Sequence, residues 1–292
     1  MEAPDQPLPG ALARTRRGPV RRLLETRGVI GSHAVEHVNV RFTAADGTSL
    51  AASFLPGPTA DAPAVVLAHG FAANRRKPAY ARLADRLAER LNVLTIDLRS
   101  HGQSDGVCTL GDLEALDVAA GVAWLRDHDH PWVAAAGVSM GGTSVMHAAA
   151  AGVVLDAVIA VSTPGWLVQR TSGPMAALHD VWVRPWKRQG LRLVTGVGVV
   201  PPSAWRTPVH PVDAAALVDS PMLVIHGDDD IYFPVAEAVA IHAAAFAHSG
   251  NATLWRLPIF GHAEDGLSDA FGRALGDAIA TAAETGRFPD RP

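Results

Sequence analysis

The sequence predicts an α/β protein built on a mostly parallel sheet with helices on both faces. Three observations predict it. Short, almost wholly apolar runs recur along the chain, as strands buried on both faces require. Helical stretches separate most of them, so neighbouring strands can be joined in parallel through crossovers. Hydrophobic residues make up 48% and charged residues 18%, which supplies a large core and excludes a disordered chain. At 292 residues the chain is one large domain or two small ones. A single domain of that size buries about three quarters of its unfolded surface without disulfides or metal.

The elements follow in order. Residues 1–34 are rich in Pro, Arg and Gly and show no clear period. They are expected to form a solvated arm, with one short helix at about 19–27. The main domain then spans 35–292. VEHVNVRF (35–42) alternates like a half-buried strand, Asp46-Gly47 marks a turn, and TSLAASFL (48–55) is the hairpin partner. This antiparallel hairpin belongs at one edge of the sheet. The buried strands are AVVLA (64–68), NVLTI (92–96), VAAAGV (133–138), DAVIAV (156–161), PMLVI (221–225) and ATLWRL (252–257). The helices are expected at 77–90, 111–127, 140–151, 234–247 and 266–284.

The interval 163–219 breaks this rhythm, because it is far longer than a crossover needs and long loops are usually functional. Four of the seven tryptophans fall in it: Trp166, Trp182, Trp186 and Trp205. It reads as a cap insertion over the carboxyl ends of the strands. Its tryptophans either line a pocket or pin the insertion to the domain, and one ring can do both. The apolar run LRLVTGVGVV (191–200) adds surface of the same kind.

Several function classes fall away. The net charge of −4 gives no sign of a phosphate-backbone binder, so no nucleic acid is expected. Cys108 is the single cysteine, which excludes an internal disulfide framework and a cysteine-based zinc cluster. Residues 131–155 contain no Asp, Glu, Lys or Arg and are long enough to suggest a membrane span. Their glycines, serines and His147 fit a buried strand, turn and helix better, so no span is expected. Arg14, Arg16, Arg17, Arg21, Arg22 and Arg27 crowd the start, but no apolar stretch of signal-peptide length follows them. A cytoplasmic location is expected.

The chemistry centres on Gly137-Val138-Ser139-Met140-Gly141, a G-x-S-x-G string between an apolar strand and an Ala-rich helix. In such a tight turn the positions two before and two after the serine must be small, as Gly137 and Gly141 are. The helix N-terminus beneath Ser139 favours developing negative charge. A serine hydroxyl needs a base to become a useful nucleophile. Among 13 histidines, His262 follows the last strand and so lies on the same rim of the sheet as the serine. His242 and His248 sit at the wrong end of a crossover, and His147 points away from the turn. The base needs a carboxylate, and Asp228, Asp229 and Asp230 compete in HGDDDIYFP (226–234). Three adjacent carboxylates could also suggest a cation site, but no further ligand spacing supports one. Backbone N–H groups of Met140 and Phe71 would hold an oxyanion, with Gly70 allowing close approach.

These segments, in this order, resemble the α/β-hydrolase superfamily over about residues 35–285. The resemblance rests on HGFAAN (69–74), DLRSHGQSDG (97–106), GVSMGG (137–142), HGDDD (226–230) and FGH (260–262). It implies a twisted eight-stranded sheet and places the acid at Asp230, the last position of HG-x-x-D. Ser100 departs from the pattern, standing where the family usually has glycine. The implied activity is that of a serine carboxylesterase acting on a hydrophobic small-molecule ester through Ser139, His262 and Asp230, with no cofactor or metal. A thioesterase or acyltransferase uses the same groups, and a non-catalytic binding protein of the same fold is the alternative of another class.

Overall fold

The structure is a computed structural model that describes residues 19–167 and 172–292. The chain runs α1 (Pro19–Thr26), β1 (Val38–Thr43), β2 (Ser49–Leu55), β3 (Ala64–Ala68), α2 (Pro78–Leu87), β4 (Asn92–Ile96), α3 (Glu114–Asp127), β5 (Val133–Val138) and α4 (Met140–Ala150). It continues with β6 (Ala157–Val161), α5 (Gly173–Val183), α6 (Pro185–Thr195), α7 (Pro211–Ala215), β7 (Met222–Gly227), α8 (Val235–Ser249), β8 (Ala252–Leu257) and α9 (Asp269–Thr285). Residues 131–155 form strand, turn and helix. Among the described residues, no helix is long and apolar enough to cross a membrane.

The eight strands form one sheet in the order β1-β2-β4-β3-β5-β6-β7-β8. The β1–β2 hairpin is antiparallel and sits at an edge; β2 also runs antiparallel to β4, and all later pairs are parallel. Strands β3 to β7 are buried along their whole length because helices cover both faces. One apolar layer joins the sheet to α3, α4 and α8 through residues such as Val118, Val145 and Ile241. The other joins it to α2 and α9 through Leu83, Leu87, Leu275 and Ile279. From β3 the chain crosses to β4 on one side, while β5 on the other side of β3 leads to β6. The carboxyl ends of β3 and β5 therefore flank a crevice, where ligands of open α/β sheets bind.

Between β6 and β7 lie α5, α6 and α7. Helices α5 and α6 pack on each other and neither has a fully buried residue, whereas α7 packs on α4 and α8. The stretch after α6 is stitched to the loop after β4. The Cys108 amide donates to Gly198 O at 2.8 Å, and the Val200 amide to Cys108 O at 2.9 Å. Ser100 has a left-handed φ of 67°, the conformation the family's glycine would adopt freely. Its hydroxyl accepts from the Gly198 amide at 2.8 Å and donates to the Gly198 carbonyl at 3.0 Å.

The solvated arm needs correction for its second half. The Asn74 side-chain amide donates to the Glu25 and Thr26 carbonyls, at 3.0 and 3.1 Å. Arg76 donates to the carbonyls of Gly31 and Gly28, and the Ala34 amide donates to Asp85. Arg27 reaches the Leu193 and Val194 carbonyls at the end of α6. The unpaired carbonyls of helix ends need donors, and here distant side chains supply them. No periodicity in 1–34 could show this. Arg14, Arg16 and Arg17 lie outside the described residues.

Candidate active site

The turn from β5 into α4 is strained at Ser139, a non-glycine residue with φ 54° and ψ −117°. Close packing maintains it. A Cβ on Gly137 would stand 2.2 Å from the Gly141 carbonyl oxygen, and one on Gly141 would stand 2.4 Å from that of Ala68. The start of α4 thus presses against β5 and β3, and the Ser139 side chain is thrust over the sheet edge. Gly142 is equally confined, by Thr163, a constraint the string alone does not reveal.

His262 reaches Ser139 from the loop after β8. Its Nε2 lies 3.1 Å from Ser139 Oγ and its Nδ1 lies 2.8 Å from Asp230 Oδ2. An ionised carboxylate only accepts, so Nδ1 carries the proton and Nε2 is left to accept from the serine hydroxyl. Asp230 Oδ1 accepts the Tyr232 and Phe233 amides at 2.8 and 3.0 Å. Burial pushes the Asp230 carboxyl up, but the His262 hydrogen bond and charge with the two amides outweigh it and hold the pKa below the usual range. The rings of Tyr232 and Phe233 stand 4.5 and 5.3 Å from the imidazole and confine it. The other two aspartates do not join in: Asp228 pairs with Arg256, and Asp229 is exposed. Among the described residues, no cluster of three or more His, Cys, Asp or Glu side chains could hold a metal.

The loop after β3 is held from beneath. The Gly70 amide donates to Tyr80 Oη at 2.9 Å, and the Ala72 amide to His101 Nε2 at 3.2 Å. His69 Nε2 accepts the Leu98 amide at 3.1 Å. Each ring uses Nδ1 to donate to a carbonyl, of Gly70 and Arg99 respectively. Burial pushes both imidazoles down to about 4, so they stay neutral and their Nε2 atoms remain acceptors. Beside them the buried Arg75–Asp97 pair ties this loop to the one after β4. A Cβ on Gly70 would come within 3.4 Å of Ser139 Cβ, so this backbone lies directly against the serine.

Ser139, Phe71 and Met140 open into a cavity of about 230 Å³ beneath α5 and α6. Three of the four insertion tryptophans, Trp166, Trp182 and Trp205, line it. Trp182 and Trp205 meet edge to face at 5.2 Å, and their indole N–H groups donate to the carbonyls of Val200 and Thr109, each at 2.8 Å. With the polar edges satisfied, the ring faces are free to meet apolar ligand. Trp186 is not in the wall. It is 67% exposed, with the Lys187 ammonium 5.2 Å from its ring centre. In the run 191–200, Leu191 and Val199 reach the cavity, whereas Leu193 and Val194 face outward.

Sequence reasoning missed several contributors. Glu114, fully buried, accepts the Thr109 amide and hydroxyl and the Gly111 amide at 2.7, 2.6 and 2.9 Å, shaping the loop that carries Leu110 to the cavity. His147 is buried and bridges the carbonyls of Gly111 and Val209, joining that loop to the insertion. Glu237 accepts the Gly165 amide where the insertion begins. No local signal marks any of the three. Phe233 lay in view, three residues beyond Asp230 in a loop read only for its carboxylates.

The strand order, the edge hairpin and a serine at the β5–α4 turn define an α/β-hydrolase-fold protein. Residues 63–195 match the family model for the alpha/beta hydrolase fold. Among solved structures, the esterase Pf2001 from Pyrococcus furiosus superposes with a TM-score of 0.68 at 21% identity, covering 87% of this chain and 95% of its own. Est1E from Butyrivibrio proteoclasticus, solved with ferulic acid bound, gives a TM-score of 0.58 at 21% identity, covering 84% and 98%. Likeness at these identities shows the fold. No curated protein matches the sequence.

Proposed function

We propose that the chain is a serine hydrolase that cleaves carboxylic esters of hydrophobic small molecules. The observation that carries the reading is the hydrogen-bonded line Ser139–His262–Asp230 at the mouth of an apolar cavity. Ser139 Oγ attacks the ester carbonyl while His262 Nε2 takes its proton. The Asp230 carboxylate holds the tautomer and stabilises the imidazolium that forms. The Phe71 and Met140 amides donate to the oxyanion. The alcohol leaves with the proton from His262, giving an acyl-serine. Water, deprotonated by His262, attacks the acyl carbon, and the acid departs as Ser139 regains its proton. Residues 163–219 act as a cap that removes the acyl chain from water, worth roughly 25 cal/mol for each Å² buried.

A fluorophosphonate probe tests the reading. Labelling of wild type but not of Ser139→Ala, together with turnover of p-nitrophenyl esters by wild type only, is the expected result. Absence of labelling, or a Ser139→Ala variant of near-wild-type rate, would sink it. Acyl thioesters run beside the esters separate an esterase from a thioesterase.

A further inference from the structure

We propose that Arg188 recognises a carboxylate at the far end of the substrate, so that the preferred ester is one whose acyl chain ends in an acid group. This rests on the ester-cleaving reading and names the substrate class for the same site. The cavity wall is apolar where it faces the chain, with Phe71, Leu110, Met175, Leu178 and Leu191 among its side chains. Among the described residues that line it, Arg188 alone carries a permanent charge. Ser139 stands at the sheet edge, whereas Arg188 is on α6, which packs on α5 and α1. The cavity therefore has a reactive end on the sheet and a cationic side on the insertion.

Of the other cations around α6, Arg192 is exposed and the rest have partners. Arg184 and Lys187 share Asp180, and Arg27 donates to the carbonyls that end α6. No carboxylate among the described residues pairs with Arg188. Among the described residues, the guanidinium's one protein partner is the Trp182 carbonyl in the last turn of α5, which accepts from Nη1 at 2.5 Å. That bond anchors the guanidinium and leaves the Nε–Nη2 edge, two parallel donors whose spacing matches a carboxylate. A half-buried cation in an apolar wall loses part of its solvation, and a counter-charge in the cavity would offset that cost. Arg188 could instead serve α5 alone, by capping the Trp182 carbonyl. Its loss would then lower stability without changing which ester is chosen.

The test compares p-nitrophenyl hemiesters of succinate, glutarate, adipate and suberate with neutral p-nitrophenyl esters of equal chain length. The readout is the ratio of kcat/KM, hemiester over neutral ester. A charged hydrogen bond of this kind predicts that, at the best-fitting length, the ratio falls about 10- to 100-fold in Arg188→Met. Arg188→Lys should keep part of it, and Arg188→Glu should depress it further. A ratio equal in wild type and Arg188→Met at every length overturns the proposal. A second measurement separates it from the ester reading. Monomethyl adipate and methyl hexanoate are titrated into the Ser139→Ala variant with and without Arg188→Met, following tryptophan fluorescence. Tighter binding of the acid that depends on Arg188, in a protein whose wild type cleaves neither ester set, would overturn the ester reading alone. Turnover of the esters with a hemiester-to-neutral ratio that does not depend on Arg188 would overturn this proposal alone, and loss of both signals would overturn both.

Discussion

Replacing Asp230 by Asn exchanges one atom, and in this site it reverses a hydrogen bond. Asp230 is 1% exposed at its side chain, and Oδ1 already accepts two backbone amides. An asparagine must keep its oxygen there, since its NH₂ would otherwise face two N–H donors in a buried place. The NH₂ is then forced toward His262 Nδ1, 2.8 Å from the replaced oxygen. His262 answers by accepting at Nδ1 and carrying its proton on Nε2, 3.1 Å from Ser139 Oγ. The base has become a donor. The imidazolium of the transition state also loses its counter-charge. The same exchange in a serine protease costs about 10⁴ in kcat. At about 1.4 kcal/mol per factor of ten, that is about 5 kcal/mol of barrier. KM should change little, because Asp230 does not line the cavity. Asp228→Asn breaks a surface pair with Arg256 worth at most about 1 kcal/mol, so its kcat should stay within a few-fold of wild type. Steady-state kinetics on p-nitrophenyl butyrate for the Asp230, Asp228 and Asp229 variants decides the matter, with circular dichroism to confirm folding. An Asp230→Asn kcat within tenfold of wild type, or an Asp228→Asn loss of equal size, refutes the reasoning.

Gly137→Ala should destabilise the fold by about 3 kcal/mol in urea titration, since its Cβ would lie 2.2 Å from a carbonyl oxygen that α4 holds in place. A loss under about 1 kcal/mol would show that the turn relaxes. Trp182→Ala and Trp205→Ala should shift kcat/KM toward longer acyl chains by opening the cavity, while Trp186→Ala leaves the profile where it was. If only Trp186→Ala shifts it, the cavity is not the acyl site. Stability should also depend on pH through His69 and His101, held at about 4 against an ordinary 6.5. As pH falls, the unfolded chain takes up protons first, so stability is intact above about 6.5 and drains away toward 4, by up to about 3 kcal/mol for each ring. Urea midpoints from pH 7 to 4 should fall in wild type and fall less steeply in His101→Gln; a flat wild-type profile argues against buried neutral rings.

What could be read from the sequence is what short stretches of chain impose on themselves. The apolar runs reveal the strands because a strand buried on both faces has no room for polar side chains. The turn at Ser139 is legible because Gly137 and Gly141 must be small for reasons confined to a few neighbouring residues. Asp230 was a harder case. Three adjacent carboxylates look alike in sequence, and the resemblance alone singled one out, while in the structure it is the pair of amides from Tyr232 and Phe233 that aims Asp230 at His262. Trp186 and Trp182 are likewise equivalent as letters. The rotation of α6 turns Trp186 to solvent and Arg188 and Leu191 inward, and packing against α5 and α1 sets that rotation. The docking of residues 19–34, the Ser100 contact with Gly198 and the Glu114, His147 and Glu237 anchors all join positions far apart in the chain. Sheet order and helix packing decide such meetings, because a side chain's partner depends on where whole elements come to rest and not on the residues beside it.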